Sequence, residues 1–123
     1  MTAARICFRL QIHPELVDAY IAHHAPVRSE MLAEIEASGR RNYSLFLGED
    51  GLLIGYYETD DDAASQRYLA ASAVAARWEA EMSRFFVDIT GRPDQAAAPL
   101  AEVFNLAAQL TATTSDNDES STS

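Results

Sequence analysis

The sequence predicts an α+β domain of ferredoxin-like β-α-β-β-α-β order, an antiparallel sheet with its helices on one face. Three observations predict it. Residues 5–12, RICFRLQI, alternate apolar and polar side chains with the period of a strand. A central stretch, NYSLFLGEDGLLIGYYET, holds two further alternating runs joined by a glycine-flanked turn, the signature of a hairpin. Longer segments on either side of that hairpin carry helical periodicity instead.

Each element has its own grounds. The first strand sets Ile6, Phe8, Leu10 and Ile12 on one face against Cys7, Arg9 and Gln11 on the other. Pro14 suits the first turn of a helix, where its missing N–H is not needed, and Glu15 and Asp18 bring negative charge to that helix's positive end. Leu16, Tyr20, Val27, Met31 and Ile35 form one apolar stripe reaching about residue 37. Pro26 should break it near His24 and Ala25, and Gly39 should cap it in the left-handed conformation. In the hairpin, Tyr43, Leu45 and Leu47 alternate against Ser44 and Phe46; GEDG turns the chain, and residues 52–58 return. Three aspartates at 60–62 open a second helical region, with Leu69, Val74, Trp78, Met82 and Phe85 inward and a break near Ala71–Ser72. TGRPDQ reads as a loop, and EVFNLA, residues 102–107, as the last strand.

Residues 1–107 therefore form one domain, and 108–123 an acidic, Ser/Thr-rich tail with too little to bury for an ordered fold. The sheet's second face carries Cys7 and hairpin leucines and tyrosines beside Arg9 and Gln11. Packing two copies sheet against sheet would cover it, so a homodimer, a dimeric α/β barrel, is expected.

Composition narrows the function. With 123 residues, 48% of them hydrophobic, the chain is one globular domain's worth. No apolar run approaches the roughly 18 residues of a membrane span, and the first ten residues lack the apolar core of a signal peptide. A cytoplasmic protein that does not bind membranes is the expectation. The net charge of −10, with nine scattered arginines as the only basic side chains, argues against a nucleic-acid surface. Cys7 is the single cysteine; in a strand it reads as a small buried hydrophobe rather than a reactive thiol. There is no glycine-rich phosphate loop and no nucleophile elbow.

The stretch AYIAHHAPVRSEM holds two of the chain's three histidines. His24 falls near the centre of the apolar stripe, one turn after Tyr20, so both side chains point toward the sheet. His23 lies well off that centre. Adjacent helical residues diverge by about a quarter turn, so the pair cannot readily chelate one ion, and no metal site is predicted. His13, before Pro14, looks structural. His24 is either a half-buried histidine with one hydrogen bond each way or a general acid/base titrating near neutrality. Tyr20, Tyr43, Tyr56, Tyr57, Tyr68 and Trp78 are many polar rings for so small a domain. They fit core packing with polar handles, or a sugar site whose flat rings cover a pyranose.

Four segments in order resemble the L-rhamnose mutarotase family, over about residues 5–106. FRLQIHPELVDAYIAHHAPV matches its strand followed by P-x-x-x-x-x-Y-x-x-x-H-x-P. SGRRNYSLFL matches its G-x-x-N-Y strand, RWEAEM its R-W-W-x-x-M helix, and RPDQ with EVFNL its N-P-D-N…E-V-F end. The resemblance implies a dimeric ferredoxin-like fold that interconverts the α and β anomers of L-rhamnose without a cofactor. It implies His24 as catalytic proton donor, with Tyr20, Tyr43 and Trp78 binding substrate. Glu79 stands where the family has its second tryptophan, and Arg28 and Ser29 alter its H-N-P-x-W-P motif. These departures leave open L-rhamnose or a related 6-deoxyhexose such as L-fucose, with Glu79 as a substrate-binding residue. The competing expectations are a cofactor-independent monooxygenase of the dimeric α+β barrel type and a non-catalytic sugar-binding module.

Overall fold

The computed structural model describes residues 3–89 and 91–117. Its sheet has four antiparallel strands, β1 (Ala4–Gln11), β2 (Arg41–Leu47), β3 (Leu52–Thr59) and β4 (Ala98–Leu100), in the spatial order β2-β3-β1-β4. That is the ferredoxin-like arrangement. Leu10 pairs with Leu53, Phe8 with Gly55 and Ile6 with Tyr57, so the strand period sends these six residues to one face.

Helices cover that face. The chain leaves β1 through a single 3-10 turn at Pro14–Leu16, then forms α1 (Val17–His23) and α2 (Ser29–Ala37), the break falling around Pro26. Gly39 ends α2 at φ 90°, the left-handed position its missing side chain permits. After the hairpin come α3 (Asp62–Ala71) and α4 (Ala73–Met82). The Asp61 carboxylate accepts the Ala64 N–H at 3.0 Å, and the Ser72 hydroxyl oxygen accepts the Ala75 N–H at 3.1 Å. Each helix thus has an N-cap side chain, and the break expected near Ala71–Ser72 is the second cap. Leu10, Ile12 and Leu53 from the sheet pack with Tyr20, Met31, Leu69, Trp78, Met82 and Phe85 as one core.

The last strand is not where alternation placed it. β4 occupies Ala98–Leu100, pairing Ala98 with Arg9 and Leu100 with Cys7, whereas residues 102–107 form no strand. Pro99 cannot donate to a ladder and argues against a strand in the sequence, but an edge position tolerates it. Glu102 instead holds the Arg5 guanidinium through bonds of 2.9 and 2.8 Å. Past α5 (Pro93–Ala96) and β4, the chain is helical again from Leu106, α6 (Leu106–Asn117), because Asn105 Oδ1 caps the Ala108 N–H at 2.9 Å and LAAQL favours helix. The segment expected to be a structureless tail from 108 therefore begins as helix; residues 118–123 lie outside the described residues.

The sheet's other face bears Cys7, Arg9, Ile54, Tyr56 and Phe46, with Phe46 62% exposed. Beyond β4, Val103, Phe104, Leu106 and Leu110 are also exposed. No helix among the described residues is long and apolar enough to cross a membrane.

Candidate active site

Between the helices and the inner face of the sheet lies a cavity of about 340 Å³, toward the lower end of the roughly 300–1,000 Å³ of small-molecule sites. Its floor depends on one glycine. A Cβ on Gly55 would sit 2.1 Å from Phe8 Cζ, so the absence of a side chain lets the Phe8 ring lie across β3. Tyr43 meets Phe8 edge-on at 6.5 Å and packs tilted against Tyr57 at 5.2 Å.

The wall comes from α1 and α4. His24 follows the last residue of α1, and its Nδ1 lies 2.9 Å from the Tyr20 carbonyl oxygen one turn back. A carbonyl can only accept, so Nδ1 carries the proton and Nε2 is the basic nitrogen of the neutral ring. The imidazole stacks on the Tyr20 ring at 4.2 Å and meets Trp78 edge-on at 5.4 Å. Burial lowers its pKa, against the Tyr20 carbonyl, which raises it; neighbouring His23 lowers it further. His24 is therefore neutral at pH 7. His23 is half-buried with its ring edge-on to Phe85, and it does not line the cavity.

Glu79, next to Trp78 on α4, is 9% exposed. Its Oε1 accepts the Asp94 backbone N–H at 2.7 Å, tying α4 to α5 (Pro93–Ala96). Desolvation, and after it the Asp94 carboxylate, push the Glu79 carboxyl up to about 7, although the Asp94 N–H and Arg92 act the other way. Arg92 holds Asp94 at 2.8 Å and donates to the Leu69 carbonyl at 3.2 Å. Burial likewise raises Tyr43 to about 12 and keeps Tyr20 protonated.

The cavity thus brings together all five sequence-predicted residues, His24, Tyr20, Tyr43, Trp78 and Glu79. Of the other rings, Tyr57 lines it too. Tyr56 instead donates to Glu58 at 2.7 Å from the outer sheet face, and Tyr68 to Glu34 at 3.2 Å on the surface. A second cavity of about 430 Å³ shares His24, Arg40, Tyr43, Trp78, Glu79 and Asp94, so the two are neighbouring lobes. Among the described residues, no cluster of three or more His, Cys, Asp or Glu side chains could hold a metal ion.

The family model for L-rhamnose mutarotase matches residues 5–106. The chain belongs to the L-rhamnose mutarotase family. It is 31% identical over 103 residues to the L-rhamnose mutarotase of Sinorhizobium medicae, covering 83% of this chain and 97% of that relative. The L-rhamnose mutarotase of Sinorhizobium fredii is 27% identical over 104 residues, with the same coverage of each chain. Among solved structures, an L-rhamnose mutarotase from Formosa agariphila aligns with TM-score 0.69 and 23% identity, over 84% of this chain and 98% of its own. Tetracenomycin F2 cyclase from Streptomyces glaucescens aligns with TM-score 0.53 and 21% identity, over 84% and 98%, which extends the likeness in fold alone.

Membership in the mutarotase family makes the added residues of this cavity informative. Arg40 is buried, with its guanidinium 4.0 Å above the Tyr57 ring and Nε donating to Ser65 Oγ at 3.2 Å. The Tyr57 hydroxyl donates to Asp62 at 2.5 Å. Sequence reasoning missed Arg40, Asp62 and Asp94. The sign for Arg40 was Asn42: it sits at φ 50°, a value asparagine tolerates, where the β2–β3 register slips. That extra residue leaves Arg41 on the outer face opposite Glu58 while Arg40 and Tyr43 both turn inward.

Proposed function

We propose that this protein is an aldose mutarotase, interconverting the α and β anomers of L-rhamnose or a related 6-deoxyhexose. The observation that carries the reading is the placement of His24. A neutral imidazole with Nδ1–H committed to the Tyr20 carbonyl sits in a ring-lined cavity of monosaccharide scale. Family membership supplies the reaction class.

The chemistry asks little beyond acid/base groups. Ring opening removes the proton of the anomeric hydroxyl and delivers one to the ring oxygen; the aldehyde rotates and recloses on its other face. His24 Nε2 takes the first proton and returns it on closure. Trp78 and Tyr20 offer flat surfaces to the apolar face of a pyranose, and Tyr43 a hydroxyl to its edge. The reaction already runs in water, so a contribution of about 10²–10⁴-fold suffices. No cofactor takes part. The relatives named as L-rhamnose mutarotases favour this reading over a monooxygenase or a non-catalytic sugar-binding module.

The working unit in this reading is a homodimer joined through the outer sheet face, which carries Phe46, Ile54 and Leu100. The location is cytoplasmic, with a lone, half-buried Cys7 suited to a reducing compartment.

NMR saturation transfer between the anomeric protons of L-rhamnose and of L-fucose tests the activity. Wild-type protein should accelerate exchange for at least one sugar, and His24→Ala should return it to the solvent rate. Wild-type exchange at the solvent rate for both would remove the proposal.

A further inference from the structure

Mutarotation needs two proton-transfer groups, and His24 accounts for one. We infer that Glu79 is the second, the general acid that protonates the ring oxygen as His24 removes the anomeric proton. The inference rests on the mutarotase reading and assigns a residue that the family's tryptophan could not replace.

Position comes first. Glu79 is buried, yet it lines the same cavity as His24, and it also lines the neighbouring lobe. It follows Trp78 on α4, so the helix carries both to the sugar site, one as a ring surface and one as a carboxyl. A buried carboxyl with no role costs stability, and a well-packed apolar side chain would serve the core better there.

Orientation comes next. Oε1 accepts the Asp94 N–H at 2.7 Å, which leaves Oε2 as the oxygen to carry a proton. Arg92 neutralises the adjacent Asp94 carboxylate in a 2.8 Å ion pair. Arg92 and Asp94 are thus positioning residues: they hold the carboxyl in place, and the Asp94 carboxylate, itself paired with Arg92, hydrogen-bonds its protonated form.

The protonation states then divide the labour. The groups around the cavity that Glu79 lines are Asp94 and Arg92 at α5, Tyr43 and Arg40 from the β2 side, Tyr20 and His24 from α1, and Tyr57 and Asp62, hydrogen-bonded to each other, from β3 and α3. Exposed Glu36 and Arg41 line the outer lobe. On α2, Glu30 pairs with Arg77, and Glu34 accepts from Ser72 and Tyr68, so neither serves Glu79. Within this set, burial holds His24 neutral and Glu79 protonated toward neutral pH. Such a pair, a neutral imidazole base and a protonated carboxylic acid, is ready for concerted transfer.

The step balances. The bond between anomeric carbon and ring oxygen breaks, its electron pair stays on the ring oxygen, and that oxygen takes the Glu79 proton. The anomeric hydroxyl gives its proton to His24 Nε2, and its O–H pair becomes the carbonyl π bond. After rotation, the new hydroxyl attacks the opposite face of the carbonyl carbon. It returns its proton to the Glu79 carboxylate while His24 protonates the anomeric oxygen. Both groups end as they began.

The test is the pH profile of catalysed anomer exchange, by NMR, for wild type, Glu79→Gln and Glu79→Asp. Wild type should give a bell, rising as His24 loses its proton and falling as Glu79 ionises. Glu79→Gln should lower kcat about 10²-fold with KM little changed, and should erase the alkaline limb while the acid limb stays. Glu79→Asp should retain more of the rate than Glu79→Gln, with that limb displaced. A Glu79→Gln enzyme with wild-type kcat and an intact alkaline limb would overturn the inference and leave the mutarotase reading standing. If Glu79→Gln does not fold, an unmoved alkaline limb in Glu79→Asp overturns it equally. Wild-type exchange at the solvent rate removes the mutarotase reading, and this inference with it.

Discussion

A carboxyl buried to 9% exposure has a thermodynamic consequence separate from any chemistry it performs. Well below pH 4.5 Glu79 is protonated in folded and unfolded chains alike, and contributes no pH dependence. As pH rises toward 7, the unfolded chain gives up a proton that the folded chain keeps, so stability falls. A difference from 4.5 to about 7 amounts to as much as about 3 kcal/mol. Glu79→Gln removes this dependence, because a neutral amide has no proton to lose. Urea unfolding at pH 4 and pH 8 should therefore show the variant gaining on wild type at the higher pH. An equal difference at the two pH values would mean that Glu79 ionises as freely in the fold as outside it. His24 titrates with the opposite sign: burial favours its neutral form, so charging it at low pH opposes folding.

At the scale of elements, the site depends on how closely two strands approach. Phe8 on β1 occupies the space that a side chain at Gly55 on β3 would fill. Gly55→Ala must push the ring into the cavity or spread the strands. We expect a loss of about 1–3 kcal/mol, with slower catalysed exchange as the floor rises. Phe8→Leu in the same chain should recover part of the stability, since the smaller side chain can yield; strictly additive losses in that cycle would show that the contact does not govern the site. Much of this layer was legible. The β-α-β-β order, the left-handed Gly39 and the helix break near Ala71–Ser72 are local signals, each readable from a few neighbouring residues. The same holds for the candidate site, because the helical period that brings Tyr20 and His24 to one face is itself local. What escaped was non-local. Arg40 turns inward only because Asn42 adds a residue to β2, and strict alternation has no place for that step. β4 escaped because its residues, with Pro99 at the centre, have weak strand character of their own and pair only because β1 offers an edge. Asp94 entered through a backbone N–H, which no side-chain pattern announces.

For the molecule as a whole, the sheet divides the residues into a site face and an outer face on which apolar side chains stand beside Arg5, Arg9 and Glu58. The candidate site residues lie under the helices, whereas Phe46, Ile54, Tyr56 and Leu100 lie on the other side, with Val103, 89% exposed, beyond the end of β4. An exposed apolar surface of this kind on a small domain calls for cover, and a second copy packed sheet to sheet, as proposed above, would supply it with two-fold symmetry. The net charge of −10 works against that association, so salt should strengthen it by screening the repulsion between copies. Light scattering should accordingly give twice the 13.5 kDa chain mass for wild type at physiological salt. Phe46→Glu replaces a side chain that is 62% exposed in the protomer, so its cost to the protomer's own stability should be small. Its cost to a dimer should be large, because two carboxylates would be trapped in an apolar seam. The variant should run at the mass of one chain. Since His24, Tyr20, Tyr43, Trp78 and Glu79 line the cavity from the helix-covered side of the sheet, the dissociated variant should still catalyse anomer exchange. A wild-type protein at single-chain mass would remove the dimer. A dissociated but inactive Phe46→Glu would show instead that the partner sheet holds the floor of the cavity in place.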